Sequence, residues 1–166
     1  MSHLRTSSLR VVCFVAFTAL PGLVLLEGKD FPANACTLLP ASEVSKVLNQ
    51  AFESPSRAWA PVVAPSAVKG TDCKYQGPGG SELLFRIYVE TSVTVAKDMF
   101  TKLSTRFGPN KALEGAWDEA YFDSRHALHV RKGKERYFLR LKPVGSDVEQ
   151  TERHLRDIAT WVAGQL

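Results

Sequence analysis

Six basic side chains are the residues of this chain best suited to binding chemistry, because they recur at alternate positions of predicted β-strands. They are Arg86, His129, Arg131, Arg136, Arg140 and Lys142. Side chains alternate between the two faces of a strand, so all six are expected on the face opposite the apolar residues. Such a face, shared with Tyr88 and Phe138, could hold an anionic ligand, a phosphate-rich polymer or an acidic partner. The favoured interpretation of this face is nevertheless a solvated outer face on which Glu90 offsets part of the charge, because antiparallel sheets often expose one face to water.

Other polar residues do not combine into a catalytic or metal site. His126 and His129 are three positions apart, which on a strand places them on opposite faces, and a zinc site needs three or four converging ligands. Asp118 and Glu119 are expected to diverge if a strand begins at Glu119, which argues against a paired acid and base. The sequence has no Gly-x-Ser-x-Gly segment to present a serine nucleophile. We therefore predict no catalytic residue, no metal and no cofactor.

The N-terminus has the three parts of an export signal. Two arginines precede an uncharged run of 16 residues, Val11 to Leu26, and Ala33-Asn34-Ala35 then offers the small-x-small pattern that signal peptidase prefers. Residues 1–35 are therefore predicted to be a signal peptide. An uncleaved anchor is the runner-up, although the run is shorter than the ~20 residues of a bilayer span. Cleavage nearer Ala19 or Gly28 is a further alternative, because the small-x-small pattern lies far beyond the apolar run.

Cys36 and Cys73 remain after removal of that segment. An exported chain meets an oxidising compartment, where two cysteines usually form one disulfide. The competing interpretation is a lipoprotein, since Cys36 would be the first residue after cleavage and could carry the acyl chains. Lipidation would leave Cys73 as an odd thiol, so the disulfide is favoured.

Composition fits one globular domain at residues 36–166. The whole chain has 166 residues, 45% of them hydrophobic and 23% charged. Its net charge is +4, and residues 1–35 hold three basic and two acidic side chains, which leaves +3 for the domain. That charge is too small to indicate a nucleic-acid partner.

Hydrophobic periodicity predicts three helices and five strands in this domain. The helices are expected at Pro40–Phe52, Ser92–Phe107 and Asp147–Leu166, and the strands at Asp72–Gln76, Leu83–Glu90, Glu119–Asp123, Ala127–Arg131 and Arg136–Lys142. Hairpin connections imply a five-stranded antiparallel sheet, so the predicted fold class is α+β, in the order α-β-β-α-β-β-β-α. A long loop, Ser54–Lys69, contains Trp59, which could pack on the core or contact a partner.

Three short segments resemble a signature of small bacterial secreted proteins and lipoproteins of unknown function. Cys36-Thr37-Leu38-Leu39, Cys73-Lys74-Tyr75 and the segment Gly115 to Tyr121 match its Cys-x-Leu-Leu, Cys-x-Tyr and Gly-x-Gly-Asp-x-Ala motifs. The chain departs from the family at Trp117, where a glycine is more usual. The resemblance implies a disulfide between Cys36 and Cys73 and a PsbP-like sandwich of helices around an antiparallel sheet. It implies no catalytic residue.

These observations favour a non-catalytic binding or interaction module of the cell envelope. Its partner is expected to be a protein or a small anionic ligand, with no nucleic acid. The expected location is secreted or periplasmic, with membrane attachment only through an uncleaved signal or a lipidated Cys36. The alternatives are a hydrolytic enzyme acting on envelope material and a structural or inhibitory accessory domain.

Overall fold

The computed structural model describes residues 34–56, 67–108, 111–142 and 147–166. Residues 1–33 of the predicted signal peptide lie outside these ranges. Trp59, the loop residue considered as a possible partner contact, also lies outside them. The described helices are α1 (Ala35–Leu38), α2 (Ala41–Leu48), α3 (Val93–Phe107) and α4 (Val148–Gln165). The described strands are β1 (Ala67–Gln76), β2 (Glu82–Glu90), β3 (Lys111–Ala112), β4 (Glu119–Phe122), β5 (Leu128–Lys132) and β6 (Glu135–Lys142). None of these helices is long and apolar enough to cross a membrane.

The strands form one antiparallel sheet in the order β1-β2-β6-β5-β4-β3. The predicted α+β class and its five strands are confirmed, with the two-residue β3 added at one edge. The register aligns one residue from each of five strands in a row across the sheet. That row runs Asp72, Arg86, Phe138, His129 and Tyr121.

The first face of the sheet carries the main core. On β2, Leu83, Phe85 and Ile87 are at most 1% exposed, and they alternate with half-buried residues. Helix α4 covers this face with a buried stripe that includes Leu155 and Ile158. Full burial of such a side chain stabilises the fold by about 1.5–3 kcal/mol, so these contacts hold the sheet and α4 together.

A disulfide fastens the start of the domain to the edge strand β1. Cys36, in α1, is bonded to Cys73, which confirms the predicted pair. Two hydrogen bonds reinforce the same junction. The Ala35 N–H donates to Thr71 Oγ1 at 2.9 Å, and the Tyr75 hydroxyl donates to the Leu39 carbonyl.

Two predicted boundaries are wrong at the start of the domain. The helix predicted over Pro40–Phe52 ends at Leu48, because Asn49 takes a left-handed conformation with φ 49° and caps it. Phe52 is nevertheless buried, and its N–H donates to Ser45 Oγ at 2.9 Å. Strand β1 begins at Ala67 rather than Asp72, so the predicted loop is shorter at its far end.

Helix α3 lies against the second face of the sheet. It begins after Ser92, whose side chain accepts a hydrogen bond from the Val95 N–H at 3.2 Å. Only Ala96 and Phe100 are buried along its 15 residues. The expectation of a solvated outer face is therefore wrong for the part of the face that α3 covers, whereas Arg140 and Lys142 on the same face are exposed. The light packing of α3 leaves space beside the sheet.

Candidate functional site

The six basic residues predicted to share a face do so. Strand pairing places Arg131 beside Arg136, and Arg86 one row away beside Phe138. Arg140 and Lys142 follow Arg136 at alternate positions of β6 and point to the same side. Their environments differ, however, and the carboxylates nearby decide which of them could meet a ligand.

Arg136 belongs to a buried ion pair. Its side chain is 6% exposed, that of Glu90 is fully buried, and the Arg136 Nε donates to Glu90 Oε1 at 2.9 Å. A second guanidinium nitrogen donates to the same oxygen, and the guanidinium also lies 5.0 Å from the centre of the Tyr88 ring. Glu90 therefore neutralises Arg136 inside the protein.

Arg131 is equally committed to the fold. Its guanidinium binds Glu119 Oε2 and Asp118 Oδ2, each at 2.6 Å, and also the carbonyl of Gly133 at 3.1 Å. Asp118 further accepts the Gly133 N–H at 2.8 Å, so it fastens the β5–β6 turn. The expectation that the two carboxylates diverge is wrong, because both converge on this one arginine.

Arg86 is bound by a carboxylate but reaches solvent. Its Nε and Nη2 donate to the two oxygens of Asp72 at 2.6 and 2.5 Å, with the arginine 34% exposed and the aspartate 6% exposed. The hydrogen bond to Asp72 raises the pKa of the guanidinium, which therefore stays charged. One edge of Arg86 is occupied by its carboxylate.

His129 is the centre of an aromatic cluster. Its ring stacks on Tyr121 at 4.8 Å between centroids, meets Phe138 edge-on at 5.0 Å and lies 6.2 Å from Phe107. Its Nε2 is 3.1 Å from Asp123 Oδ2. Burial lowers the pKa of the imidazole, and the hydrogen bond to Asp123 offsets only part of that effect. His129 is therefore neutral near pH 7.

The two histidines considered as a metal pair have separate partners. The backbone of His126 takes a left-handed conformation with φ 59°, and its Nδ1 is 3.0 Å from Glu152 Oε1 on α4. His129 contacts Asp123 instead. In the described ranges, no three histidine, cysteine, aspartate or glutamate side chains are grouped so as to hold a metal ion.

A cavity of about 320 Å³ separates the second half of α3 from the second face of the sheet. We call it the α3 pocket. Phe100, Leu103 and Phe107 of the helix form one wall, and Phe138 and His129 lie on the sheet side. Arg86, Arg136 and Arg140 also line it, whereas Arg131 and Lys142 do not. Four of the six predicted residues therefore meet around one cavity.

Arg140 differs from the other arginines on this face. It is exposed, and among the described residues it makes no hydrogen bond or ion pair. Its charge acts on Glu82, but only as the smallest of the causes that lower the pKa of that carboxyl. Arg140 is therefore the arginine of this sheet face best able to bind an added anion.

Sequence reasoning missed the helical wall of the pocket. Phe100, Leu103 and Phe107 recur as an apolar stripe at three- and four-residue spacing in the helix predicted over Ser92–Phe107, and of the three only Phe100 is buried. Phe107 is 38% exposed. The available signal was the stripe itself, because α4 already covers the first face and a second apolar helix must pack elsewhere. How much of this apolar stripe remains uncovered by the sheet could not be deduced from the sequence.

Comparison of the chain with known protein-family models and with curated proteins finds no match. The resemblance to secreted proteins with the Cys-x-Leu-Leu signature, and the PsbP-like relation, stay predictions. Any functional conclusion therefore depends on the site.

Proposed function

We propose that this protein is a non-catalytic binding module that takes a small organic ligand, with an apolar body and an anionic group, into the α3 pocket. The observation that carries the proposal is the combination of aromatic walls with an arginine on the sheet face, Arg140, that has no carboxylate partner among the described residues. Ligand pockets are typically apolar cavities of about 300–1,000 Å³ with a few placed polar groups, and this cavity fits that description.

The buried, paired arginines are not available to bind an added anion, which limits the candidates for that role. Arg131 and Arg136 are each at most 8% exposed and bound to carboxylates, so an added anion would have to displace an internal partner. Breaking a buried pair costs about 3–5 kcal/mol, which exceeds the gain from a typical new hydrogen bond. Recognition of an anion therefore falls to the accessible arginines of the lining, which are Arg140 and Arg86 on the sheet and Arg125 in the turn before β5.

A pocket-filling variant tests the location. Leu103→Trp replaces a half-buried leucine in the wall of the cavity with a larger indole side chain. Val93→Trp is the control, because it places the same indole at a 54% exposed position on the same helix, outside the cavity. The probe is anilinonaphthalene sulfonate, an apolar anion whose fluorescence rises on binding. We expect wild type and Val93→Trp to bind the probe with equal affinity. The affinity of Leu103→Trp should be lower by a factor of about ten or more, since ~1.4 kcal/mol of lost contact corresponds to a ten-fold change.

A second variant covers the case in which tryptophan disturbs folding. Phe107→Ala removes a partly exposed wall side chain and should also weaken the probe, while circular dichroism and melting stay near wild type. Equal binding by wild type, Leu103→Trp and Phe107→Ala would show that the probe lies elsewhere. That result would overturn the proposed function.

The proposed location is extracytoplasmic, which the disulfide supports because such bonds persist in oxidising compartments. The sulfur of Cys36 is engaged in that bond, so a lipid thioether could form only in its place. Asn34 and Ala35 are part of the domain. Asn34 Oδ1 caps α1 by accepting the Cys36 N–H at 2.9 Å, and Ala35 is fully buried.

Cleavage is therefore proposed upstream of Asn34, nearer Ala19 or Gly28, rather than after Ala35. Cutting after Ala35 would remove a cap and a core residue together. Intact mass measurement of the protein from its native host should give a mature chain that retains both residues and lacks two hydrogens at the cysteines. A mass beginning at Cys36, with or without acyl chains, would contradict this.

A further inference from the structure

Building on the proposed binding function, we infer that the ligand of the α3 pocket is an aromatic monocarboxylate. Its carboxylate lies on Arg140, and its ring lies among the aromatic side chains of the cavity. Three properties of the pocket lead to this class, namely its charge, the geometry of its cation and the nature of its walls.

The charge around the pocket favours a single negative charge on the ligand. Arg86 with Asp72, and Arg136 with Glu90, are internally neutral pairs. Two more arginines and one aspartate also line the cavity, so the arginines outnumber the carboxylate by one.

Those arginines are Arg125 and Arg140, and the aspartate is Asp123, which contacts the neutral His129. The lining therefore keeps a surplus of one positive charge. A second negative charge on the ligand would exceed this surplus and have no cationic partner in the lining, which is unfavourable in a partly enclosed site. The pocket therefore fits a monoanion better than a phosphomonoester, which carries close to two charges near neutral pH.

The cation itself favours a carboxylate. A guanidinium presents a planar fork of donors that matches the two oxygens of a carboxylate, so the pair forms two parallel hydrogen bonds. Arg140 is exposed. The anionic end of the ligand can therefore keep water on one side while the rest of the molecule enters the cavity.

The walls favour an aromatic body. Rings of Tyr88, Phe100, Phe107, Phe138 and His129 all line the cavity. The three rings of Phe107, His129 and Phe138 already lie at centroid separations of 5.0 and 6.2 Å, within the usual range for aromatic pairs. A rigid ring also loses little conformational entropy on binding, unlike a flexible acyl chain.

Isothermal titration calorimetry near neutral pH tests the class with four probes. Naphthoate is the aromatic monocarboxylate, naphthalenemethanol the neutral ring, naphthyl phosphate the dianion and octanoate the aliphatic carboxylate. We expect wild type to bind naphthoate about ten-fold or more tightly than naphthalenemethanol, because one charged hydrogen-bonded pair supplies at least that factor. Naphthyl phosphate should bind more weakly than naphthoate because its second charge lacks a partner, and octanoate because its flexible chain loses more conformational entropy.

The matched variants are Arg140→Gln and Lys142→Gln, two exposed positions on the same strand and the same face. Arg140→Gln should lower naphthoate affinity about ten-fold or more, to the level of naphthalenemethanol, and Lys142→Gln should leave the preference intact, since Lys142 does not line the cavity. Arg140→Lys keeps the charge without the fork and should give an intermediate affinity.

Each outcome decides something different. Equal affinity for naphthoate and naphthalenemethanol would show that the ligand needs no negative charge. Tightest binding of naphthyl phosphate would contradict the inferred single charge, and tightest binding of octanoate would contradict the inferred aromatic ring. In the second and third cases the proposed function survives, because the bound ligand is still an apolar anion. In the first case the anionic part of the proposed function fails as well. If none of the four probes binds while anilinonaphthalene sulfonate still enters the pocket, the inferred class is wrong. If the sulfonate also fails to bind there, the proposed function fails as well.

Discussion

Loss of the Cys36–Cys73 disulfide should destabilise the domain by an amount that follows from the length of the loop it closes. The two cysteines are 37 positions apart. In the chain-entropy treatment, opening a loop of that length increases the entropy of the unfolded chain by an amount worth about 4 kcal/mol at room temperature. For a domain of this size, that loss corresponds to a fall in Tm of roughly 15 °C.

Urea unfolding followed by tryptophan fluorescence provides the assay. Wild type is measured oxidised and reduced, and Cys36→Ser is measured under both conditions. Cys36 is only half-buried, so the variant removes the bond and leaves the fully buried Cys73 in place. Reduced wild type and Cys36→Ser should both lie about 4 kcal/mol below oxidised wild type, and reductant should not change the variant. A difference of less than ~1 kcal/mol between the oxidised and reduced wild type would refute the reasoning.

The other predictions concern polar groups in and around the sheet. Arg136→Met should destabilise the domain by about 3–5 kcal/mol in chemical unfolding, because Glu90 is then buried unpaired, and adding Glu90→Met should restore most of that loss; additive losses would contradict the pairing. Tyr137→Phe should cost about 1 kcal/mol because its hydroxyl donates to a carbonyl of α4, whereas Tyr121→Phe should be neutral or stabilising because its buried hydroxyl has no partner among the described residues. Burial lowers the pKa of His129, so the stability it contributes should be complete above its unfolded pKa of about 6.5 and lost as pH falls below that value. An NMR titration of His129 with a midpoint above 6.5 would contradict this sign.

Much of the fold follows from local patterns in the sequence. The alternation of Leu83, Phe85, Ile87 and Val89 predicts β2, and its burial in the structure repeats that alternation. The long period of α4 is equally clear. Helix α1 was missed because four residues are too few to show a helical period, although its cap, Asn34, is a typical one. Strand β3, with two residues, gives no periodic signal either.

The candidate site was only half predictable, for a physical reason. Alternation assigns Arg86, Arg136 and Arg140 to one face, since it depends only on neighbouring positions in the chain. Which arginine is neutralised depends on carboxylates that strand register brings alongside, such as Asp72 beside Arg86. Glu90 on β2 and Arg136 on β6 are 46 positions apart in sequence. Register and helix placement are tertiary properties, so the pairing and the pocket are visible only in the fold.

A titration of the nitrogen-labelled protein with naphthoate, followed by amide NMR shifts, tests the location of the binding site most directly. The account predicts that the largest shifts at saturation occur at Phe100, Leu103 and Phe107 of α3 and at Arg140 on the facing strand, with α2 unaffected. Saturable shifts confined to α2 and the outer side of α4, or no shifts at all, would contradict it.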